Sequence, residues 1–219
     1  ARLRAAAPDF RLLWDNAYAV HWFEEDAELA SIVAACERAG NPDRPLLFGS
    51  TSKITFAGSG ISAFASSAGN LKWMLAHRGK LTIGPDKLNQ ARHVDFFRHE
   101  TTLSDHMKGH AALVRPKFEA VERVLQQELA GLDVAEWTHP TGGYFVSFDC
   151  AAPIAAEVVA LCARAGVKLT PAGATFPYGR DPQNANIRIA PTFPGAADVA
   201  AAVEVLCCAV VALTAGARV

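Results

Sequence analysis

Gly49-Ser50-Thr51-Ser52-Lys53 stands directly after the apolar run Pro45-Leu46-Leu47-Phe48 and before the glycine-rich stretch Ile54 to Gly60. A short apolar run of this kind reads as a buried strand, and ligand sites in open α/β sheets lie beyond the carboxyl ends of their strands. Lys53 is thereby delivered to a place where chemistry is done, although the pentapeptide alone would equally suit a surface lysine. A second strand end weighs in favour of chemistry. Phe10 to Trp14 is another apolar run, and it ends in Asp15-Asn16-Ala17-Tyr18. Between the two runs, Leu29, Ile32, Val33 and Cys36 recur at helical spacing over Ala27 to Ala39, behind the acidic Glu24-Glu25-Asp26 that suits a helix start. Gly40-Asn41-Pro42 ends that helix. Strand, helix and strand make a βαβ unit whose crossover is expected to be right-handed, which brings Asp15 and Lys53 to one edge of the sheet.

The chain has 219 residues, 51% of them hydrophobic and 20% charged, enough for one sizeable core or two modest ones. The formal charge of −1, without a lysine or arginine cluster, gives no support to binding of nucleic acid or of an anionic membrane. The longest apolar tract, Val199 to Ala215, is interrupted by Glu204, and no signal pattern precedes the first strand, so a soluble cytoplasmic protein is expected. Cys36, Cys150, Cys162, Cys207 and Cys208 lie in apolar surroundings without a Cys-x-x-Cys spacing and read as buried free thiols. The histidines form no His-x-x-x-His pair on a convincing helical face, so no metal site is expected.

Further along, the pattern predicts a strand at Ile61 to Ala65, helices at Asn70 to His77 and Asp86 to Arg98, and a long helix at Leu103 to Leu129. Pro116 lies inside the last of these and should kink it, marking the hinge between a domain over 1–112 and another over 113–219. Strands are expected at Tyr144 to Phe148, Val167 to Leu169 and Ile187 to Ala190, with helices at Ile154 to Ala165, closed by Gly166, and at Ala196 to Leu213. The order suggests a small α+β layer beside part of a larger α/β domain.

The Asp-x-x-Tyr of Asp15 and Tyr18, the Ser50-Thr51-Ser52-Lys53 run, Pro140-Thr141-Gly142-Gly143-Tyr144-Phe145 and Asn186-Ile187-Arg188-Ile189-Ala190 occur in that order. In this the chain resembles the fold type I pyridoxal-phosphate enzymes, specifically the class I and II aminotransferases, and within them the bacterial aspartate aminotransferase branch related to the MocR regulators. The resemblance covers nearly the whole chain and implies pyridoxal 5'-phosphate as cofactor, amino-acid and 2-oxo-acid substrates, and a homodimer. It makes Lys53 the residue that forms the Schiff base and then moves the proton at the substrate Cα. Asp15 would keep the pyridine nitrogen protonated, and Tyr18 would donate to the ring's phenolic oxygen. Ser50 and Ser52 could offer hydroxyls to the phosphate, and Gly58-Ser59-Gly60 backbone amides. Arg188 would grip the substrate α-carboxylate with its planar fork, the alternative being an internal salt bridge to a residue such as Asp149. Lys80 or Lys87 could reach a distal carboxylate or could simply be solvated.

Two departures stand out. Where the family often places a basic phosphate anchor, this chain has Ile61 and Ser62. The family's N-terminal arm, glycine-rich phosphate loop and cofactor asparagine have no counterpart in the 219 residues, so the chain reads as the C-terminal half of such an enzyme, expected to be poorly soluble and essentially inactive when made alone. The activity implied is transamination between aspartate or another dicarboxylic amino acid and 2-oxoglutarate by a ping-pong cycle. A lyase on the same cofactor, or the non-catalytic effector module of a MocR-like regulator, remain the alternatives.

Overall fold

The computed structural model describes residues 1–24, 29–100 and 102–217. Two compact units make up the chain, one of Ala1–Val20 with Glu25–Lys108 and the other of His21–Glu24 with Gly109–Val219.

The first unit is built on a three-stranded sheet of β1 (Leu12–Asp15), β2 (Pro45–Ser50) and β3 (Ser62–Ala65), in that spatial order. β1 and β2 run parallel, as a βαβ unit requires, with α1 (Ile32–Arg38) between them in sequence, while β3 returns antiparallel to β2. α1 starts later than the expected Ala27, because Ser31 supplies the cap: its hydroxyl accepts the Ala34 N–H at 3.3 Å. The acidic run is therefore not the cap, and its Glu25 and Asp26, like Ala27 and Glu28, lie outside the described residues. α2 (Ala68–Leu81), capped by Ser67, and α3 (Lys87–Asp95), capped by Asp86, follow. The expected helix to Arg98 changes character after Asp95, where one turn of π-helix (Phe96–Glu100) takes over. α4 (Leu103–Leu129) has the length its periodicity predicts and contains Pro116. The two units divide within it, between Lys108 and Gly109.

The second unit is an antiparallel sheet of β4 (Ala135–Trp137), β5 (Val146–Cys150) and β6 (Asn186–Ile189) with α5 (Ala155–Arg164) and α6 (Ala196–Ala217). Its core joins Phe118, Val121, Val124 and Leu125 of α4 to Phe148 of β5, Ile187 of β6, Val158 of α5 and Leu206 of α6. By length and composition α6 could cross a membrane, yet here its Val199, Val203, Leu206 and Val210 face closes this core. Three expectations need correcting. Val167–Leu169 is not a strand: Gly166, at φ +89°, ends α5 with the Val167 N–H bonded back to the Cys162 carbonyl, and the following residues join no ladder. β4 is an additional strand, too short at three residues for an alternation to register. Cys208 is exposed, although the other four thiols are buried.

Gly142 and Gly143 explain why β5 begins at Val146 rather than Tyr144. They lie along residues 21–23, with a Trp22–Gly142 bridge, a Gly143 N–H bond to the His21 carbonyl at 2.6 Å and a Phe23 N–H bond to the Thr141 carbonyl at 2.8 Å. A methyl group at Gly142 would collide with the His21 carbonyl, so the approach requires glycine.

Candidate active site

Because β1 and β2 are parallel, their carboxyl ends emerge together: Asp15 pairs with Phe48, and the Asn16 N–H donates to the Phe48 carbonyl at 2.7 Å. Asp15 is exposed there, with Oδ1 accepting the Ala17 N–H at 3.0 Å in a tight turn. Tyr18 is half-buried in the turn that follows. From the end of β2, Ser50 and Ser52 bring their hydroxyl oxygens to 2.5 Å, and the Ser52 N–H also donates to Ser50 at 3.1 Å. Lys53 comes next and is exposed. Asp15, Ser50, Ser52 and Lys53 thus share one sheet edge in the first unit.

The positions where a basic anchor was sought carry none. The backbone of Ile61 closes the loop against Thr51, and Ser62 pairs with Ser50 across the antiparallel β2–β3 ladder, so the two serine side chains share a face. Hydroxyls therefore stand at this end of the sheet in place of a cation. The donor set fits a phosphorylated pyridine aldehyde: an amine for the aldehyde, a carboxylate for a ring nitrogen, and hydroxyls for phosphate oxygens. Glycine is also required in the loop, since a Cβ at Gly60 would lie 2.9 Å from Ser52 N and Cα.

Arg188 belongs to the second unit, at the middle of β6 and opposite Ser147. The internal salt bridge considered for it is absent among the described residues. Asn186 takes Asp149 instead: its Nδ2 donates to Asp149 Oδ1 at 2.8 Å and to Ser147 Oγ at 2.9 Å, while its Oδ1 accepts from Thr175 at 2.7 Å. Arg188 lies over the Phe145 ring at 4.5 Å, and its Nε is buried without a hydrogen-bond partner. A buried donor of this kind is costly unless a ligand satisfies it. Beside it is a cavity of about 470 Å³ lined by Leu169, Thr170, Ala190, Pro191 and Val203 among others. The turn leading into β6 is held by Asp181, whose carboxylate accepts the N–H groups of Asn186, Ala185 and Gln183; these bonds, that of Asn186 foremost, hold its pKa below the usual carboxylate value.

Sequence reasoning missed the residues that hold the Lys53 loop from behind. His106 donates from Nε2 to the Ile54 carbonyl at 2.6 Å, and His93 meets the hydroxyls of Thr51 and Thr55. The Ile54–His106 pair is 52 residues apart in the chain and the Thr51–His93 pair 42, so no local pattern could announce them.

This architecture is the pyridoxal-phosphate-dependent transferase fold, type I, present here as part of the large α/β domain and a small α+β domain. More narrowly, the chain belongs to the aspartate amino-transferase family, whose profile matches residues 1–218. An aspartate aminotransferase of Corynebacterium glutamicum is 45% identical over 203 residues, which are 92% of this chain and 47% of that protein. A Mycolicibacterium smegmatis protein that carries an aminotransferase name is 49% identical over 215 residues, 97% of this chain and 50% of that one. The crystal structure of an aspartate transaminase from C. glutamicum superimposes with a TM-score of 0.90 at 44% identity, covering 95% of this chain and 50% of the other. The chain therefore spans about half the length of the curated relatives it matches.

Proposed function

We propose that the complete protein is a pyridoxal-phosphate-dependent aminotransferase that moves the amino group of a dicarboxylic amino acid such as aspartate to a 2-oxo acid such as 2-oxoglutarate, in a ping-pong cycle. The observation that carries this reading is the delivery of Asp15 and the Lys53 loop to adjacent carboxyl ends of two parallel strands, in a chain of this family. When bound, the cofactor supplies an electron sink for the charge that develops at the substrate Cα. Lys53 would hold it through Nζ and would serve as the base that takes the substrate Cα proton and returns it. Asp15 keeps the pyridine nitrogen protonated through a charge-assisted hydrogen bond, and Tyr18 donates to the neighbouring ring oxygen. Ser50 and Ser52 would offer their hydroxyls to the phosphate. Arg188 grips the substrate α-carboxylate, a role supported by its orphaned Nε and by the diversion of Asp149 to Asn186. A homodimer and a cytoplasmic location go with this reading.

Borohydride reduction of the cofactor-loaded complete protein, followed by peptide mass spectrometry, tests the central assignment. The reduced pyridoxyl adduct is expected on Lys53; an adduct on Lys72, Lys80 or Lys87 refutes it. Release of a 2-oxo acid without ammonia separates transamination from a lyase reaction.

A further inference from the structure

The loop that carries Lys53 is closed by Thr51. Its N–H donates to the Ile61 carbonyl at 2.9 Å, its hydroxyl oxygen accepts the Ile61 N–H at 2.9 Å, and its carbonyl accepts the N–H groups of Ile54 and Thr55. The same Thr51 hydroxyl oxygen lies 3.2 Å from Nε2 of His93 on α3. His93 is buried, with 3% of its surface exposed. Nδ1 faces the Asn89 carbonyl at 2.8 Å, and since a carbonyl can only accept, Nδ1 carries the hydrogen. In the neutral ring Nε2 is then an acceptor, and the Thr51 and Thr55 hydroxyls lie 3.2 and 2.7 Å from it. One turn earlier on the same helix, Asn89 donates to the Ser59 carbonyl at 2.8 Å, so α3 holds both the start and the far side of the loop.

We propose that His93 is a positioning residue for the chemistry of Lys53: by fixing the Thr51 hydroxyl it sets the shape of the loop and so the place at which the lysine amine is presented. The inference rests on the reading that Lys53 carries the cofactor. A histidine that merely filled space would have no need of two polar partners on opposite sides of its ring. Here one nitrogen is tied to its own helix and the other to the loop, so the ring transmits the position of α3 to Thr51. His93 contacts the loop at Thr51, Thr55 and the ring of Phe56, 5.3 Å away between centroids. Displacing a reacting group by as little as about 1 Å is enough to cost roughly 100-fold in rate.

The test compares His93→Phe, which keeps a ring of similar size and loses both nitrogens, with His93→Gln, which retains an acceptor, in the complete cofactor-loaded protein. His93→Phe is expected to lower kcat by about 10- to 100-fold while the KM for the amino-acid substrate stays within about threefold. The exchange of the Ile61 amide hydrogen should accelerate by about tenfold or more. His93→Gln should keep more than about a third of kcat. A kcat for His93→Phe within about threefold of the parent, an equal loss in both variants, or unchanged Ile61 exchange overturns the proposal. Should His93→Phe fail to fold, Thr51→Val and Thr51→Ser replace it: loss in the first and recovery in the second is expected, and equal rates overturn the proposal. An adduct on a lysine other than Lys53 removes the functional reading and this inference with it, whereas unchanged Ile61 exchange with the adduct on Lys53 defeats the positioning role alone.

Discussion

The two units treat their apolar residues differently. In the second, α4, α5, α6 and the β4–β5–β6 sheet bury a continuous core in which Phe148, Leu125, Val158 and Leu206 have no exposed surface. In the first, α2 buries no residue at all, and Leu13, Trp73, Leu81, Ile83 and Leu88 are exposed. Around Lys53 the first unit buries Ile54 and adds directional contacts: Thr51 to Ile61, His93 to the two threonines, and edge-to-face contacts of Phe96 with Phe56 and His106. Burial of apolar area is the main source of stability, whereas the placing of reactive groups depends on directional polar bonds. The second unit is therefore where stability concentrates, and the first is where the proposed covalent chemistry lies.

The sharpest way to break that comparison is Lys53→Ala in the complete protein. With the amine removed, turnover should fall by about 10⁴-fold, while the melting temperature changes little because the side chain is exposed. A large loss of stability with modest loss of activity would reverse the roles assigned to the two units. Phe148→Ala probes the other side. It removes a fully buried ring at the centre of the second sheet, stacked at 6.4 Å on Trp137, and should cost about 3–5 kcal/mol in denaturant unfolding. Ile83→Ala, on the exposed surface of the first unit, should stay within about 0.5 kcal/mol.

Asp15→Asn should lower kcat by roughly 100-fold, equivalent to about 3 kcal/mol of transition-state stabilisation, in protein that still folds. Near-normal turnover would remove Asp15 from the site. Arg188→Lys should raise the KM of amino-acid and oxo-acid substrates alike by about tenfold and spare cofactor binding, since a point charge replaces a two-pronged donor. Unchanged substrate constants would leave Arg188 as a structural cation stacked on Phe145.

A further effect is on alkaline stability, and it belongs to the second unit. Burial, followed by the nearby charge of Glu128, pushes the Cys207 thiol from the ordinary 9.0 up to about 12; burial and then Asp149 push Cys150 up to about 11. Both groups keep their protons in the folded chain at a pH where the unfolded chain has lost them. Their contribution is complete below about pH 9 and is lost as the pH rises towards 11 and 12. Thermal unfolding followed from neutral pH upward should show this decline. Iodoacetamide at mildly alkaline pH should label the exposed Cys208 well before Cys207; labelling of Cys207 at a similar rate would show that the core is more open than its burial implies.

Much of the fold was legible wherever a long pattern or a sharp punctuation existed. The bounds of α4 followed from a long apolar face, and the parallel β1–β2 pairing from a strand, helix and strand closed by Gly40-Asn41-Pro42. Short segments were not legible: β4 has three residues, and Val167–Leu169, with Lys168 between two apolar residues, alternates like a strand without being paired. The start of α1 was misplaced because a charge run outweighed Ser31, whose single side-chain bond decides where a helix begins.

Apolar periodicity placed the long elements, because burial leaves a periodic trace, and four motifs in their order named the family by resemblance and made Asp15, Tyr18, Lys53 and Arg188 the candidates, because a reacting group must be of a given chemical type. The pairing of polar groups leaves no such trace. That Asp149 is taken by Asn186 and so withheld from Arg188, and that His93 reaches Thr51 across 42 residues, became known only once the folded chain had brought these atoms within hydrogen-bond distance. A hydrogen bond is decided by fractions of an ångström and by direction, and neither is encoded in the spacing of residues along the chain.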